Sequence, residues 1–278
     1  MLNMEKPKLI KVFGYMYHLH KRNFKTYLKK RDIPNKKEEL KYNSVHWIGH
    51  ATTLINIEGK TIVTDPVTSP YLGQLKRQVE PSMDLSNLNI DYILISHGHM
   101  DHLDKNTMKK FNKDIPVICP KQYKSLLKLW GFKNLHLIMA GESFTDNNIS
   151  IEAFRANHDG KRYAFGKHSP SNSYLIKSAK KSIFFAGDTA FTDTYKGIKS
   201  DISLMPVGCY FPSEFEKMHC NPYQSFEMFR MMDSKFMVPI HYKTYILAQD
   251  DDSKTLETLE KINDGTIKII DIGETLEF

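Results

Sequence analysis

The stretch Ser96-His97-Gly98-His99-Met100-Asp101-His102-Leu103-Asp104 crowds three histidines and two aspartates into nine residues. Imidazole and carboxylate are the donors that a borderline-soft divalent cation such as zinc takes. Spacings of two, two and one between His97, His99, Asp101 and His102 do not bring all four to one side of a regular strand or helix, so a tight loop is expected. Three further donors stand at comparable places: His158, Asp188 within Gly187-Asp188-Thr189, and His241. A lone histidine is more often structural than ligating, and Gly-Asp-Thr also reads as a turn with a helix-capping residue. Taken together, five histidines and two aspartates divide into two metal sites that share one carboxylate. Such a set leaves coordination positions for water and substrate, which is the requirement of a catalytic rather than a closed structural metal site.

The elements that must position these donors are legible around them. Residues 92–95 form an apolar, β-branched run that reads as a buried strand, and Asp104 reads as the cap of a helix over 105–111. Strands over 151–156, 183–186 and 236–240 precede His158, Asp188 and His241, so every donor stands just beyond a strand, where open α/β sheets place their chemistry. Upstream, strands at 45–48, 52–57 and 61–64 with a turn at 58–60 read as a hairpin. Residues 66–90 are rich in Pro, Ser, Gly and Asn and read as a long loop overhanging a site. Segments 92–138 give a βαβαβ course and hence parallel strands. The second half adds strands at 148–156, 173–177, 182–186 and 202–207, helices at 221–232 and 253–262, and terminal strands near 267–270 and 275–278. Strands followed by strand–helix alternation occur twice, which suggests two similar halves with sheets face to face and helices outside.

The chain has 278 residues, 41% hydrophobic and 26% charged, ordinary for a globular protein. No apolar run approaches the roughly 18 to 20 residues of a membrane span, and Lys11 interrupts the only stretch that resembles a signal peptide. Three cysteines, Cys119, Cys209 and Cys220, show no ligand spacing and read as inert thiols in a reducing compartment. A cytoplasmic location is therefore expected, with a peripheral one at the inner membrane surface as its variant. The formal charge of +7 is concentrated in residues 1–41, which hold twelve Lys or Arg against four Asp or Glu. This divides the chain into a basic amphipathic extension, 1–42, and a globular domain, 43–278. Apolar residues at Leu9, Val12, Phe13, Met16 and His20, broadened by Ile10, Tyr17 and Leu19, predict a helix from 8 to 31, followed by a linker at Ile33-Pro34-Asn35 and Lys36-Lys37-Glu38-Glu39. That helix reads either as an interfacial segment drawn to anionic lipid through residues 1–31 or as an ordinary helix packed on the body. The near-neutral body offers no broad basic groove, which disfavours nucleic acid as a partner. Nothing in the pattern sets the oligomeric state.

The motif His97-x-His99-x-Asp101-His102 with His158, Gly187-Asp188-Thr189 and His241 resembles the metallo-β-lactamase superfamily of binuclear hydrolases. Trp47-Ile48-Gly49-His50-Ala51-Thr52, Thr64-Asp65-Pro66, Pro206-Val207-Gly208-Cys209-Tyr210-Phe211-Pro212 and His219-x-x-Pro222 are similar to one branch of it. That branch contains N-acylphosphatidylethanolamine-hydrolysing phospholipase D and the ascorbate-phosphate lactonases. The resemblance implies an α/β four-layer αβ/βα sandwich with two face-to-face mixed sheets. It implies two divalent ions, zinc in the first place and manganese or iron otherwise. His97, His99 and His158 would hold one ion, Asp101, His102 and His241 the other, and Asp188 would bridge. The implied activity is phosphodiester hydrolysis of phospholipase D type, with carboxylic ester or lactone hydrolysis as the alternative, on a phospholipid or small-molecule substrate.

The catalytic candidates are Asp101, Asp188 and His219. His219 reads as a phosphate contact or proton donor, or else as the cap of the helix at 221. Asp65 reads as an acceptor behind a ligand histidine, or as a turn residue before proline. His50 and Tyr210 read as structural. Lys243 departs from the lipid-cleaving relatives by placing a charge just after the last ligand.

Overall fold

In the computed structural model, residues 6–163 and 168–278 are described. The expected stripe positions Leu9, Ile10, Val12 and Phe13 fall among the side chains outside that set. Fifteen strands run β1 (Ser44–Gly49), β2 (Thr52–Ile57), β3 (Lys60–Thr64), β4 (Tyr71–Leu72), β5 (Leu75–Lys76), β6 (Tyr92–Leu94), β7 (Val117–Cys119), β8 (Leu135–Leu137), β9 (Ser143–Asp146), β10 (Ile149–Asp159), β11 (Pro170–Lys177), β12 (Ser182–Phe185), β13 (Lys199–Pro206), β14 (Asp233–Ile240) and β15 (Thr275–Glu277). The helices are α1 (Lys6–Tyr27), α2 (Lys105–Met108), α3 (Lys124–Leu129), α4 (Pro222–Met231) and α5 (Asp252–Ile262).

Seven strands form one sheet in the order β15-β1-β2-β3-β6-β7-β8, and six form a second in the order β14-β13-β12-β11-β10-β9. Each is antiparallel in the part built from its first strands and parallel where strands alternate with helices. The alternating side-chain directions of the first sheet separate two cores. Val45, Trp47, Ile55, Ile57, Ile62, Tyr92 and Leu94 pack against Ile151, Tyr174, Ile176, Ile183 and Phe185 of the second sheet. Their neighbours Ile48, Leu54, Val63, Ile93 and Ile95 face the other way, onto Met108, Phe111, Tyr123, Leu127 and Trp130 beneath α2 and α3. On the far side, Met228, Phe229 and Leu259 of α4 and α5 cover the second sheet. The expected sandwich of two face-to-face mixed sheets with helices outside is the fold observed.

Several elements differ from their sequence-based expectation. The helix at 105–111 stops at Met108, because the chain turns to bury Phe111 and Lys113 Nζ donates to the Met108 carbonyl at 2.7 Å. Around 267–270 there is no strand, only a single bridge from Ile267 to Met237, since Asn263 binds both the amide and the carbonyl of Ile267 and holds it in a turn. Residues 66–90 are not a free loop. They contain the β4–β5 hairpin and a 3₁₀ turn at Leu85–Asn87, and they are pinned by Arg77, which is wholly buried. Its guanidinium donates to the carbonyls of Ile48, Val67 and Val79 and lies over the Tyr245 ring. The 33–39 linker is likewise fixed, through Glu38 to Gly273 and Thr275 and through Lys36 to Glu274.

α1 ends at Tyr27, four residues earlier than expected, where the buried Lys76 ammonium meets its last carbonyls. Lys76 Nζ donates to Thr26 O and to Tyr27 O, at 2.9 and 3.2 Å, and to Lys29 O. A lysine at a helix C-terminus satisfies orphan carbonyls and complements the helix dipole.

Candidate metal centre

The donors converge at one end of the sandwich, where strands of both sheets run out. Asp65 follows β3, the 96–104 loop follows β6, Asp188 follows β12 and His241 follows β14. His158 differs from expectation in lying within β10 itself, which runs to Asp159 through a register shift after Arg155. Three residues of the site sit in left-handed backbone: His50 (φ 56°), Asp65 (φ 34°) and His241 (φ 66°). Non-glycine residues rarely adopt this region, and such strain concentrates at functional sites. Gly98 and Gly187 allow close approach, since a Cβ at Gly98 would lie 2.3 Å from Tyr123 Cε1 and one at Gly187 2.7 Å from Ser96 Cβ.

Outer hydrogen bonds fix each ring. Ser96 Oγ donates to Asp65 Oδ2 at 2.5 Å, so the contact from His97 Nδ1 to Ser96 Oγ, 2.9 Å, places the proton on Nδ1. His102 Nδ1 donates to Asp65 Oδ2 at 2.7 Å, and His158 Nδ1 donates to the Met218 carbonyl at 2.8 Å. In the neutral form of all three rings the inward Nε2 is therefore a bare lone pair, the tautomer a metal needs. His99 turns Nδ1 inward, 2.9 Å from His97 Nε2 and 3.2 Å from His158 Nε2.

Two groups of donor atoms result. His97, His99, His158 and Asp188 form one; Asp101, His102 and His241, with His50 beside them, form the other. Asp188 touches both: its Oδ2 lies 4.0 Å from His97 Nε2, 3.9 Å from His158 Nε2 and 3.2 Å from His102 Nε2, while Oδ1 lies 3.0 Å from His241 Nε2. His219 Nδ1 stands 3.5 Å from Asp188 Oδ2, with its ring between those of His158 and His241.

These residues fit a metal on the evidence of their unpaired atoms. Both Asp188 oxygens, His102 Nε2, His241 Nε2 and His219 Nδ1 are buried without a hydrogen-bond partner. Buried polar atoms are otherwise almost always paired, and a divalent cation is what a ring of such lone pairs accommodates. The electrostatics divide in the same way. Burial, reinforced by the neighbouring imidazoles, pushes His97 well below the usual histidine range, and burial takes His158 down to about 4. Burial also opposes charge on His102 and His241, yet Asp188 and Asp101 overcome it, raising His102 strongly and His241 to about 9. Burial would raise the carboxyls of Asp101 and Asp188, and here too the opposite partner wins, since the adjacent histidines hold both well below the carboxylate range. The second group thus attracts positive charge, from protons or from a cation.

The other candidates named from the sequence fall where the geometry sends them. Asp65 is the acceptor behind Ser96 and His102, completed by Ser96 N–H at 2.7 Å. His219 does not cap α4; Asn221 does, in a reciprocal box with Gln224. Tyr210 is structural, its hydroxyl 3.0 Å from Thr255 Oγ1. Lys243 pairs with Asp271 at 3.3 Å instead of placing its charge among the imidazoles. The cysteines are buried free thiols whose pKa values burial pushes up, Cys119 to about 12. His50 is more than structural: its Nε2 donates to Asp101 Oδ2 at 2.9 Å. Arg162 carries no sequence signal, yet it straps the donor loop by donating to the carbonyls of Gly98 and Leu103 at 2.9 and 2.7 Å.

A family model described as a β-lactamase superfamily domain matches residues 60–242. The chain is 29% identical to an N-acyl-phosphatidylethanolamine-hydrolyzing phospholipase D 1 of Caenorhabditis elegans, over 83% of this chain and 74% of that one. It is 28% identical to a metal-dependent hydrolase of Anoxybacillus flavithermus, over 82% and 97%. Among solved structures, a possible metal-dependent hydrolase from Veillonella parvula superposes with a TM-score of 0.71 at 16% identity, covering 86% of this chain and all of that one, a likeness of fold.

Proposed function

This chain belongs to the β-lactamase superfamily as a metal-dependent hydrolase, and from that premise we propose a phosphodiesterase of phospholipase D type that acts on N-acylphosphatidylethanolamine-like diesters. The observation that carries the reading is the single carboxylate, Asp188, reached from both donor groups with His219 beside it. The similarity to the nematode phospholipase D supports this choice of substrate class. Lys243, the residue that set this sequence apart from lipid-cleaving relatives, is neutralised by Asp271, which removes the charge objection to a lipid.

His97, His99 and His158 would hold one divalent ion, Asp101, His102 and His241 the other, and Asp188 both; zinc suits these donors, as do manganese and iron. Two such ions supply the Lewis acidity that makes water nucleophilic near neutral pH and offsets charge building on the phosphoryl oxygens. Asp65 and Ser96 keep His97 and His102 in the ligating tautomer. His50 orients Asp101. Burial pushes His219 down to about 3, so it meets substrate as a neutral ring suited to a phosphoryl oxygen rather than as an acid. No serine or cysteine nucleophile is needed.

The test is turnover of bis(p-nitrophenyl) phosphate before chelation, after chelation, and after return of zinc or manganese. Loss and recovery support the reading. Rapid hydrolysis of lactones with none of the diester assigns the site to ester chemistry instead.

A further inference from the structure

From Tyr15 onward, α1 presents two opposed stripes. Tyr15, Leu19, Arg22, Asn23 and Thr26 recur at helical spacing, and this side is docked. Tyr15 Oη donates to Leu247 O at 2.9 Å, Arg22 to Ala248 O and Asp250 O at 2.6 and 2.9 Å, and Asn23 Nδ2 to Ile246 O at 3.0 Å. Two residues out of phase, about 200° around the helix, runs the stripe Tyr17, Lys21, Phe24, which Leu28 continues in the turn just after the helix. Tyr17 is 63% exposed, Phe24 71% and Leu28 92%. Tyr27 stacks on Tyr71 of the β4–β5 hairpin, with ring centroids 6.0 Å apart, and both rings are exposed, which widens the stripe. Tyr17, Phe24, Tyr27, Lys21 and Gln74 line a groove of about 430 Å³. Among the described residues, Lys21, Lys25, Lys29 and Lys30 have no carboxylate partner.

Single exposed apolar side chains are ordinary, but a contiguous aromatic patch flanked by unpaired lysines is not. Rings of this kind settle at the polar–apolar boundary of a bilayer, and ammonium groups on flexible stems reach its phosphates. The place of the helix matters as much as its composition. Tyr15 packs on Phe215, 4.8 Å between centroids, in the turn Ser213–Lys217 that leads to His219. The 246–250 segment held by Arg22 and Asn23 follows His241. α1 therefore braces both segments that flank the metal-donor cluster.

We propose that the outer stripe of α1, with Tyr71 of the adjoining hairpin, docks the protein on an anionic lipid bilayer and holds the donor cluster beside that surface. The occupant is committed by charge complementarity, and the proposal deepens the phosphodiesterase reading while resting on it only for the idea that the substrate lies in the bilayer.

Co-sedimentation of the full chain with vesicles of phosphatidylcholine alone, or mixed with phosphatidylglycerol, tests it without reference to activity. Binding is expected to the mixed vesicles and to be salt-sensitive. Lys21→Glu with Lys25→Glu, and separately Phe24→Ser with Leu28→Ser, should each lower the partition coefficient about tenfold or more. Bis(p-nitrophenyl) phosphate turnover should be unchanged in both variants, which separates this proposal from the proposed activity. Absence of binding to mixed vesicles, or binding that both double variants retain in full, overturns it. So does a dimer in sedimentation equilibrium that Phe24→Ser with Leu28→Ser dissociates, because the stripe would then be covered by a second copy.

Discussion

His50 Nε2 donates to Asp101 Oδ2 at 2.9 Å, and the carbonyl of the same residue accepts the His241 amide at 3.0 Å. One buried histidine thereby fixes a donor from each sheet. Its Nδ1 has no partner, and burial takes its pKa down to about 3, so it acts as a neutral donor.

His50→Ala should release Asp101 and cost about 10- to 100-fold in metal affinity and turnover, the usual scale for a partner behind a ligand. His50→Gln, whose amide nitrogen reaches to a similar place, should recover much of that loss. Metal stoichiometry by atomic absorption, together with the circular dichroism spectrum, checks both. Full metal content in His50→Ala would show that Asp101 is held without it.

Asp65 accepts three hydrogen bonds, from Ser96 N, Ser96 Oγ and His102 Nδ1, at 2.7, 2.5 and 2.7 Å. Asp65→Asn puts an N–H donor where one acceptor oxygen stood, and so opposes the ligating tautomer of His102. A loss of about 10- to 100-fold in metal affinity is expected, with a thermal midpoint in chelator close to that of the parent. Equal metal affinity in the variant would mean that His102 is oriented by its packing alone.

Asp188→Ala removes the carboxylate that the inward-facing atoms of both donor groups reach. Bound metal and turnover should fall together. A variant that keeps its full metal content would refute the shared role of Asp188.

Much of this site is legible in the sequence because its donors are local. His97, His99, Asp101 and His102 lie within six residues, and Asp188 and His241 each follow an apolar strand whose end is plain. What is not legible depends on distant pairing. His50 meets Asp101 across 51 positions and Arg162 reaches Gly98 across 64, and neither spacing leaves a periodic trace. The 66–90 segment reads as a loop from its Pro, Ser and Gly content, since its order comes from one buried cation, Arg77, binding the carbonyls of Val67 and Val79 within the segment and of Ile48 outside it. The end of α1 depends in the same way on Lys76, supplied from outside the helix. The extra length of β10 comes from pairing with β11, which carries the strand past its apolar run.

His46 is buried between Thr275 Oγ1 and Ser82 Oγ, each 2.8 Å away, and burial lowers its pKa to about 4. An unfolded histidine titrates near 6.5, so between pH 6.5 and 4 the unfolded chain binds the extra proton. His46 therefore contributes in full above that window and loses about 3 kcal/mol as the pH falls through it. Urea midpoints of the chelated protein and of His46→Asn, compared from neutral to acid pH, should converge on the acid side. A gap independent of pH would contradict the assignment.

The central claim is metal-dependent cleavage of a phosphodiester in an N-acylated ethanolamine phospholipid, and the most direct measurement is product identification by mass spectrometry. With zinc or manganese present, N-acylphosphatidylethanolamine in mixed micelles should give phosphatidic acid and N-acylethanolamine, and both should vanish with chelator and in Asp188→Ala. Intact phospholipid in the presence of fully metal-loaded protein, or release of fatty acid instead, would contradict the account.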